Sequence, residues 1–397
     1  MSDLLFKLDN PIQHYSWGSQ TSIEELFGIA NPSGEPQAEM WMGAHPNGCS
    51  KIAGTDALIS EIINQDKAAV LGTYTSSRFG ELPFLFKVLA AKTPLSIQVH
   101  PNKANAEIGF ERENQQGIPL NAAHRNYKDP NHKPELVYAL TFYKAMNGFR
   151  PIKDIISLFE QAKIDSLQSN IEALKAAPGK QQLQSFFSAL MTLEGERKSV
   201  ALEELNRAID SKVTSFMARE ALQYARSFRE HYPGDIGLFA PLFLNTIELA
   251  PGEAMFLHAE TPHAYVEGTA LEIMANSDNV LRAGLTPKYI DVPELIANTK
   301  FVSIEPQDLK LAPVNKQGRL SYPIPVDDFA FEIVTVEPME NTLFVRSAEI
   351  LFCIEGEITV DHPTKTITLK AGESILINHL AEQYQYHGQG RLARAFN

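Results

Sequence analysis

Residues 151–233 differ in kind from the sequence on either side of them. Within that block Gly and Pro almost vanish, and Ala, Leu, Glu, Gln and Lys dominate. Apolar residues there recur at helical intervals: Met217, Ala221, Tyr224 and Phe228 stand at i, i+4, i+7 and i+11. KAAPGK at 175–180 and LEGER at 193–197 read as breaks between helices, and HYPGD at 231–235 closes the block. Upstream, short apolar runs such as PFLFKVL and LSIQVH alternate with the turn clusters NPSGEP, HPNG and YKDPNHKP, the pattern of strands. β-rich sequence resumes at FAPLFLNTIEL. A helical stretch interrupting a β-rich chain predicts a mainly β protein with an α-helical insertion, a free-standing helical domain being the other arrangement. The expected division is 1–148 with 235–310 as one β domain, 149–234 as the insertion, and 311–397 as a second β domain.

At 397 residues the chain exceeds one ordinary core, so two or three domains are expected. A weak internal repeat supports two related β-barrels. LAPGEAMFLH at 249–258 aligns with LKAGESILIN at 369–378, each a Gly-Glu turn feeding an apolar run. LFCIEGEITV at 351–360 supplies a partner strand with its own Gly-Glu turn.

Several function classes are disfavoured at once. No run approaches 18 apolar residues, the most apolar window being broken by Lys87, so no membrane span is expected. The opening MSDLLFKLDN reaches Asp9 before a secretory apolar region could form. Cys49 and Cys353 lie far apart, which argues against a disulfide scaffold or thiolate metal site and suits a reducing cytoplasm. A net charge of −13 speaks against nucleic acid as a partner but leaves room for a small anion at a local basic site. With no long exposed apolar edge in view, a monomer is expected.

Three polar clusters carry candidate chemistry. In LSIQVHPNK a strand would turn Ser96, Gln98 and His100 to one face and Ile97 and Val99 to the other. Gln98 and His100 then sit side by side, as two neighbouring ligands of one metal would. In YKDPNHKPEL the residues Tyr127, Asp129, Asn131, His132, Lys133 and Glu135 crowd around two prolines, which shape a loop rather than a ladder strand. LHAETPHAY brings His258, Glu260 and His263 directly after a turn. Taken singly these read better as a solvated strand face, a surface loop and a capping or surface His than as parts of a metal site. Their spacing is too open for a compact zinc signature. A fourth stretch, EGTALEIMANSDNVLRAGLTPK at 267–288, delivers Arg282 beside Gly284, where a planar guanidinium could hold an oxyanion. The alternative is a local salt bridge between Asp278 and Arg282.

The second and fourth of these stretches are the ones that point to a family. YKDPNHKPE and GTALEIMANSDNVLRAGLTPK resemble the signature segments of type I phosphomannose isomerases, zinc-dependent cupin enzymes. WGS at 17–19, EMWMGAHP at 39–46 and LSIQVHPNK resemble the family's other characteristic stretches. The resemblance is strong over 1–148 and 235–300. It implies two cupin barrels and one zinc ion per chain, bound by Gln98, His100, Glu135 and His263; the usual cupin place for a metal His favours His263 over His258. It implies interconversion of mannose 6-phosphate and fructose 6-phosphate through a cis-enediol(ate), in service of mannose metabolism, with Arg282 as the catalytic arginine. For acid–base chemistry it leaves His132, Lys133 and Asp278, with Lys133 preferred for transfer at carbon and His132 for ring opening. Lys87 and Ser96 are the expected substrate or phosphate contacts, with Lys103 and Lys288 as substitutes, although Lys87 could equally snorkel from a strand edge. Gln383, the repeat's counterpart of His263, implies that the C-terminal barrel has no metal site.

Two rivals remain from the residues. An iron-dependent cupin dioxygenase would present two His and one carboxylate, leaving Gln98 and Arg282 without a purpose. A non-catalytic sugar-phosphate-binding cupin would suit the second barrel but not an intact metal set beside SDNVLRAG.

Overall fold

The computed structural model describes residues 3–397. Two antiparallel sheets of ten strands each form its β part. In the first, strand Phe84–Ala91 lies between His263–Ala275 and Glu39–Met42, and all eight of its residues are buried. That explains its nearly unbroken apolar run, since a central strand covered on both faces has no solvent side to mark with polar residues. Glu135–Ala139 pairs the other edge of His263–Ala275 and carries Ala254–Leu257 beyond it.

The repeat is real in three dimensions. Ala254–Leu257 and His263–Ala275 in the first sheet correspond to Ser374–Ile377 and Gln383–Phe396 in the second. Glu349–His362 pairs both of the latter, the partner role expected for LFCIEGEITV. Aromatic residues from both sheets, among them Phe86, Phe331 and Phe352, meet edge-on and join the barrels through one core. One exchange was not visible in local pattern: strand Leu5–Asp9, grouped by sequence with 1–148, hydrogen-bonds Ser374–Ile377 in the second sheet.

The helical block consists of Ile152–Ala162, Gln168–Ala176, Lys180–Met191, Gly195–Asp210 and Phe216–His231, broken at the two expected places. Its core continues into Ile97, Val99, Met146, Phe149, Leu281 and Ala283, so the helices cover the outer side of the strands that carry the candidate site. FAPLFLNTIEL departs from its β reading in its first half: Ala240–Phe243 is a helical turn with Pro241 in its first positions, and the strand begins at Leu244. The strand-like reading of 1–148 also missed helices, the longest being Lys103–Gln115. Only Ala106, Gly109 and Glu113 are buried there, so no apolar stripe announces it. Among the described residues, no helix is long and apolar enough to cross a membrane.

Candidate active site and metal centre

His100, Glu135 and His263 come together at the ends of three strands, with their donor atoms all within 4.8 Å of one another. Each imidazole Nε2 lies 3.3 Å from a different oxygen of Glu135. The other ring nitrogens are tethered: His100 Nδ1 is 2.7 Å from the Asn279 carbonyl and His263 Nδ1 is 2.9 Å from that of Thr261. Donating the Nδ1 proton to a carbonyl leaves Nε2 as a free lone pair, the state a metal requires. A turn makes this convergence local. Glu260 adopts a left-handed backbone with φ of 67° and gives its N–H to the His100 carbonyl, carrying the chain around to His263. Gln98 pairs in register with His263, and its amide nitrogen donates to Ser96 Oγ at 3.3 Å, which leaves its carbonyl oxygen available.

These residues fit a divalent cation. His100 Nε2 is buried without a hydrogen-bond partner, and an unpartnered buried acceptor normally has a reason. Two imidazoles, a carboxylate and an amide oxygen form a nitrogen/oxygen donor set that suits zinc.

The charges agree. A cavity of about 50 Å³ is lined by Lys87, Lys133, Glu39, Glu135 and Glu272, together with Ser96, Gln98, His263 and Tyr265. Three carboxylates against two ammonium groups leave a negative excess for a cation to offset. Burial lowers the His100 imidazole to about 4, with Lys133 adding to the effect, so it is neutral at pH 7. Burial would raise Glu135, but Lys133 and His100 outweigh it and hold this carboxyl well below the usual range. Glu272 is raised by burial despite the opposing pull of Lys87. The Tyr265 hydroxyl sits 2.8 Å from Glu135 and 2.7 Å from Glu272 but has a single proton.

The remaining candidates separate. Lys133 lines the cavity, its Nζ 3.0 Å from Glu135. Lys87 is buried and paired with Glu272 at 3.1 Å and Glu39 at 3.4 Å, over the Trp41 ring. Burial would lower its ammonium, but the two carboxylates raise it, so it is neither a snorkelling edge residue nor an unoccupied cation. Arg282 pairs in register with Gln98, so both side chains leave the sheet on one side. Asp278 does not bridge to it. Burial would raise Asp278, but His45, 3.4 Å away, pulls it below the ordinary range, and Asn47 holds its second oxygen. That carboxylate lines a separate cleft of about 480 Å³ with His45 and Lys128. His132 is turned away, its Nε2 3.0 Å from Asp328 of the C-terminal segment. Lys103 bonds Pro130 and Asn131 at the surface, and His258 faces another cleft. Lys288 feels both Arg282 and Lys128, which lower its ammonium after burial does.

Sequence reasoning missed Glu39, Glu272, Tyr265 and Trp41, whose Nε1 donates to Glu39. The available signal was a charge inside an apolar strand, as in EMWM and LEIM, where only a buried counter-charge makes such a residue tolerable.

The second barrel repeats this layout with its charges exchanged. Glu135 pairs with Leu257 as Glu349 pairs with Ile377, so Glu349 is the counterpart of the ligand carboxylate. Glu272 lies between Lys87 and Val137, and Arg394 lies between Glu332 and Leu351. Arg394 donates to Glu349 at 3.0 and 2.6 Å and to Glu332 at 3.1 Å. A fixed guanidinium supplies there the positive charge that the first barrel's carboxylate leaves for an ion.

A jelly-roll barrel with two His, a Glu and a Gln converging inside it defines the class of metal-dependent cupins. Known proteins narrow this further. Residues 5–152 match the type I phosphomannose isomerase catalytic domain, 157–244 its helical insertion domain, and 319–397 the mannose-6-phosphate isomerase cupin domain. The chain is 52% identical to the mannose-6-phosphate isomerase of Salmonella typhimurium over 98% of its own length and 99% of that protein's. Identity to the Homo sapiens enzyme is 38%, over 91% of this chain and 89% of the other. The crystal structure of the Salmonella typhimurium enzyme bound to substrate (F6P) and zinc superposes with a TM-score of 0.94 at 51% identity, covering all of both chains. The chain belongs to the type I phosphomannose isomerase family.

Proposed function

We propose that this chain interconverts mannose 6-phosphate and fructose 6-phosphate, with one zinc ion held by Gln98, His100, Glu135 and His263. When bound, the ion polarises the sugar's oxygens as a Lewis acid. Proton transfer at the carbon beside the carbonyl is assigned to Lys133 acting as the neutral amine, after its ammonium proton has passed to solvent, and the released electron pair forms the double bond of a cis-enediol(ate). Lys133 then returns the proton to the neighbouring carbon. Arg282, on the Gln98 side of the sheet, stabilises the negative charge that develops on the enediolate oxygens. No residue is assigned to ring opening, because the His132 imidazole is engaged with Asp328 and Asp278 is held by His45 and Asn47 in the separate cleft. The phosphate is assigned to Lys288, whose ammonium is lowered by burial and then by Arg282 and Lys128. Lys87 instead serves to compensate Glu39 and Glu272. A cytoplasmic monomer, with Cys49 and Cys353 as free thiols, belongs to the same reading.

The observation that carries it is the buried His100–Glu135–His263 cluster with its free Nε2. A coupled assay for fructose 6-phosphate, run before and after chelation and zinc re-addition, tests it. His100→Ala should lose metal and activity together, whereas Arg282→Ala should keep metal and lose turnover. Full activity after complete zinc removal, or near wild-type turnover in Arg282→Ala, refutes the assignment.

A further inference from the structure

Burial alone perturbs the Arg282 charge, and among the described residues its guanidinium has no side-chain hydrogen bond or ion pair. Nothing at its tip holds it, so its position is inherited from its backbone. Strand Leu281–Arg282 is fastened on one side to the ligand strand, through Ala283 N–H to the Ile97 carbonyl and Ile97 N–H to that of Gly284. Its continuation is fastened from the helical side by a single carboxylate.

We propose that Asp235, which follows the last helix of the insertion, is a positioning residue for Arg282; the proposal rests on the role given to Arg282 above. Asp235 Oδ1 accepts from Gly237 N–H at 2.6 Å and from Leu285 N–H at 2.7 Å, and Oδ2 accepts from Thr286 N–H at 3.2 Å. Capping its own turn requires only the first of these. The other two reach across to the segment three and four residues past Arg282. Leu285 is held there in a left-handed conformation with φ of 52°, which a branched side chain adopts only under restraint. The approach is close enough to demand glycine on both sides. A Cβ on Gly284 would lie 2.7 Å from Gly237 Cα, and one on Gly237 would lie 2.7 Å from Leu285 N. The turn that follows the last helix of the insertion thereby sets the register of the arginine strand.

The test compares Asp235→Ala, Asp235→Asn, Arg282→Ala and the Asp235→Ala/Arg282→Ala pair in the full-length zinc enzyme. Asp235→Ala should lower kcat about 100-fold, the scale of a 1 Å misplacement, with zinc content unchanged and KM moving little. Asp235→Asn keeps an oxygen for Gly237 and Leu285 and should recover part of the loss. Amide hydrogen exchange at Leu285 and Thr286 should quicken in Asp235→Ala. In the Arg282→Ala background, removing Asp235 should cost almost nothing more, because both act through one guanidinium. Multiplying losses, or unchanged turnover in Asp235→Ala, overturns the proposal. If Asp235→Ala does not fold, Asp235→Asn decides, with a loss of about tenfold expected for one charge-assisted hydrogen bond and no loss counting against it. Failure of the Arg282 role shows separately, as turnover retained in Arg282→Ala while exchange at Leu285 still responds to Asp235.

Discussion

Replacing Arg394 by Met should destabilise the protein in a way that depends on pH. Arg394 is 3% exposed and Glu349 is 0% exposed, so no water replaces the guanidinium once it is gone. Glu332 keeps a cation, Arg319 at 3.5 Å, whereas Glu349 keeps none. Burial already raises the Glu349 carboxyl, with Arg394 opposing, so losing Arg394 drives Glu349 to bind a proton. From the ordinary value of 4.5, carrying that proton at pH 7 costs about 3 kcal/mol, within the range for broken buried pairs. At pH 5 the same step costs under about 1 kcal/mol. In the variant the folded carboxyl has the higher pKa, so the folded state binds more protons and stability falls as pH rises from about 4.5 to 7. Urea denaturation followed by far-ultraviolet circular dichroism at pH 5, 6 and 7 measures this penalty. Zinc content and kcat should stay at wild-type values. An equal penalty at pH 5 and pH 7, or one below about 1 kcal/mol at pH 7, refutes the claim that Arg394 neutralises Glu349.

Other expectations follow from the first barrel. Lys87→Met strands Glu39 and Glu272 in the interior and should cost about 3–5 kcal/mol in thermal or urea denaturation. Adding Glu272→Gln should restore part of that, and no recovery would contradict the pairing seen here. In the chelated protein His100 takes its proton at about 4, against an ordinary 6.5, because burial and then Lys133 disfavour its charge. The unfolded chain therefore binds more protons between these values, and stability should fall by up to about 3 kcal/mol as pH drops through that window. A chelated His100→Gln variant should lack that contribution, and identical pH profiles for the two would exclude it. Tyr265→Phe removes the hydroxyl shared by Glu135 and Glu272 and should weaken zinc affinity about 10-fold or more, measured by competition with a chelator.

Much of the candidate site was legible in the sequence. Alternation alone assigned Gln98 and His100 to the face opposite Ile97 and Val99, and the long segments 127–136 and 267–288 placed Glu135 and Arg282 in a recognisable context. The acid–base partners were not legible in this way. His132 and Lys133 are neighbours in sequence, yet one reaches Asp328 of the C-terminal segment and the other Glu135. The pairing of Lys87 with Glu39 and Glu272 has no local sign either, because the two carboxylates lie on strands distant in the chain. Leu5–Asp9 likewise carries no local sign that its partner strand lies near the other terminus.

The amino-acid order by itself determined where helices replace strands, which residues of each strand face inward, and which donor types are present in number to bind a cation. Those properties depend on neighbours within a few residues, where backbone sterics and side-chain period act. Tertiary structure alone decided which buried charges face each other: Lys87 with Glu39 and Glu272, Asp278 with His45, and Arg394 with Glu349. Desolvated charges are stable only beside specific partners, and sheet register brings those partners together across tens to hundreds of residues.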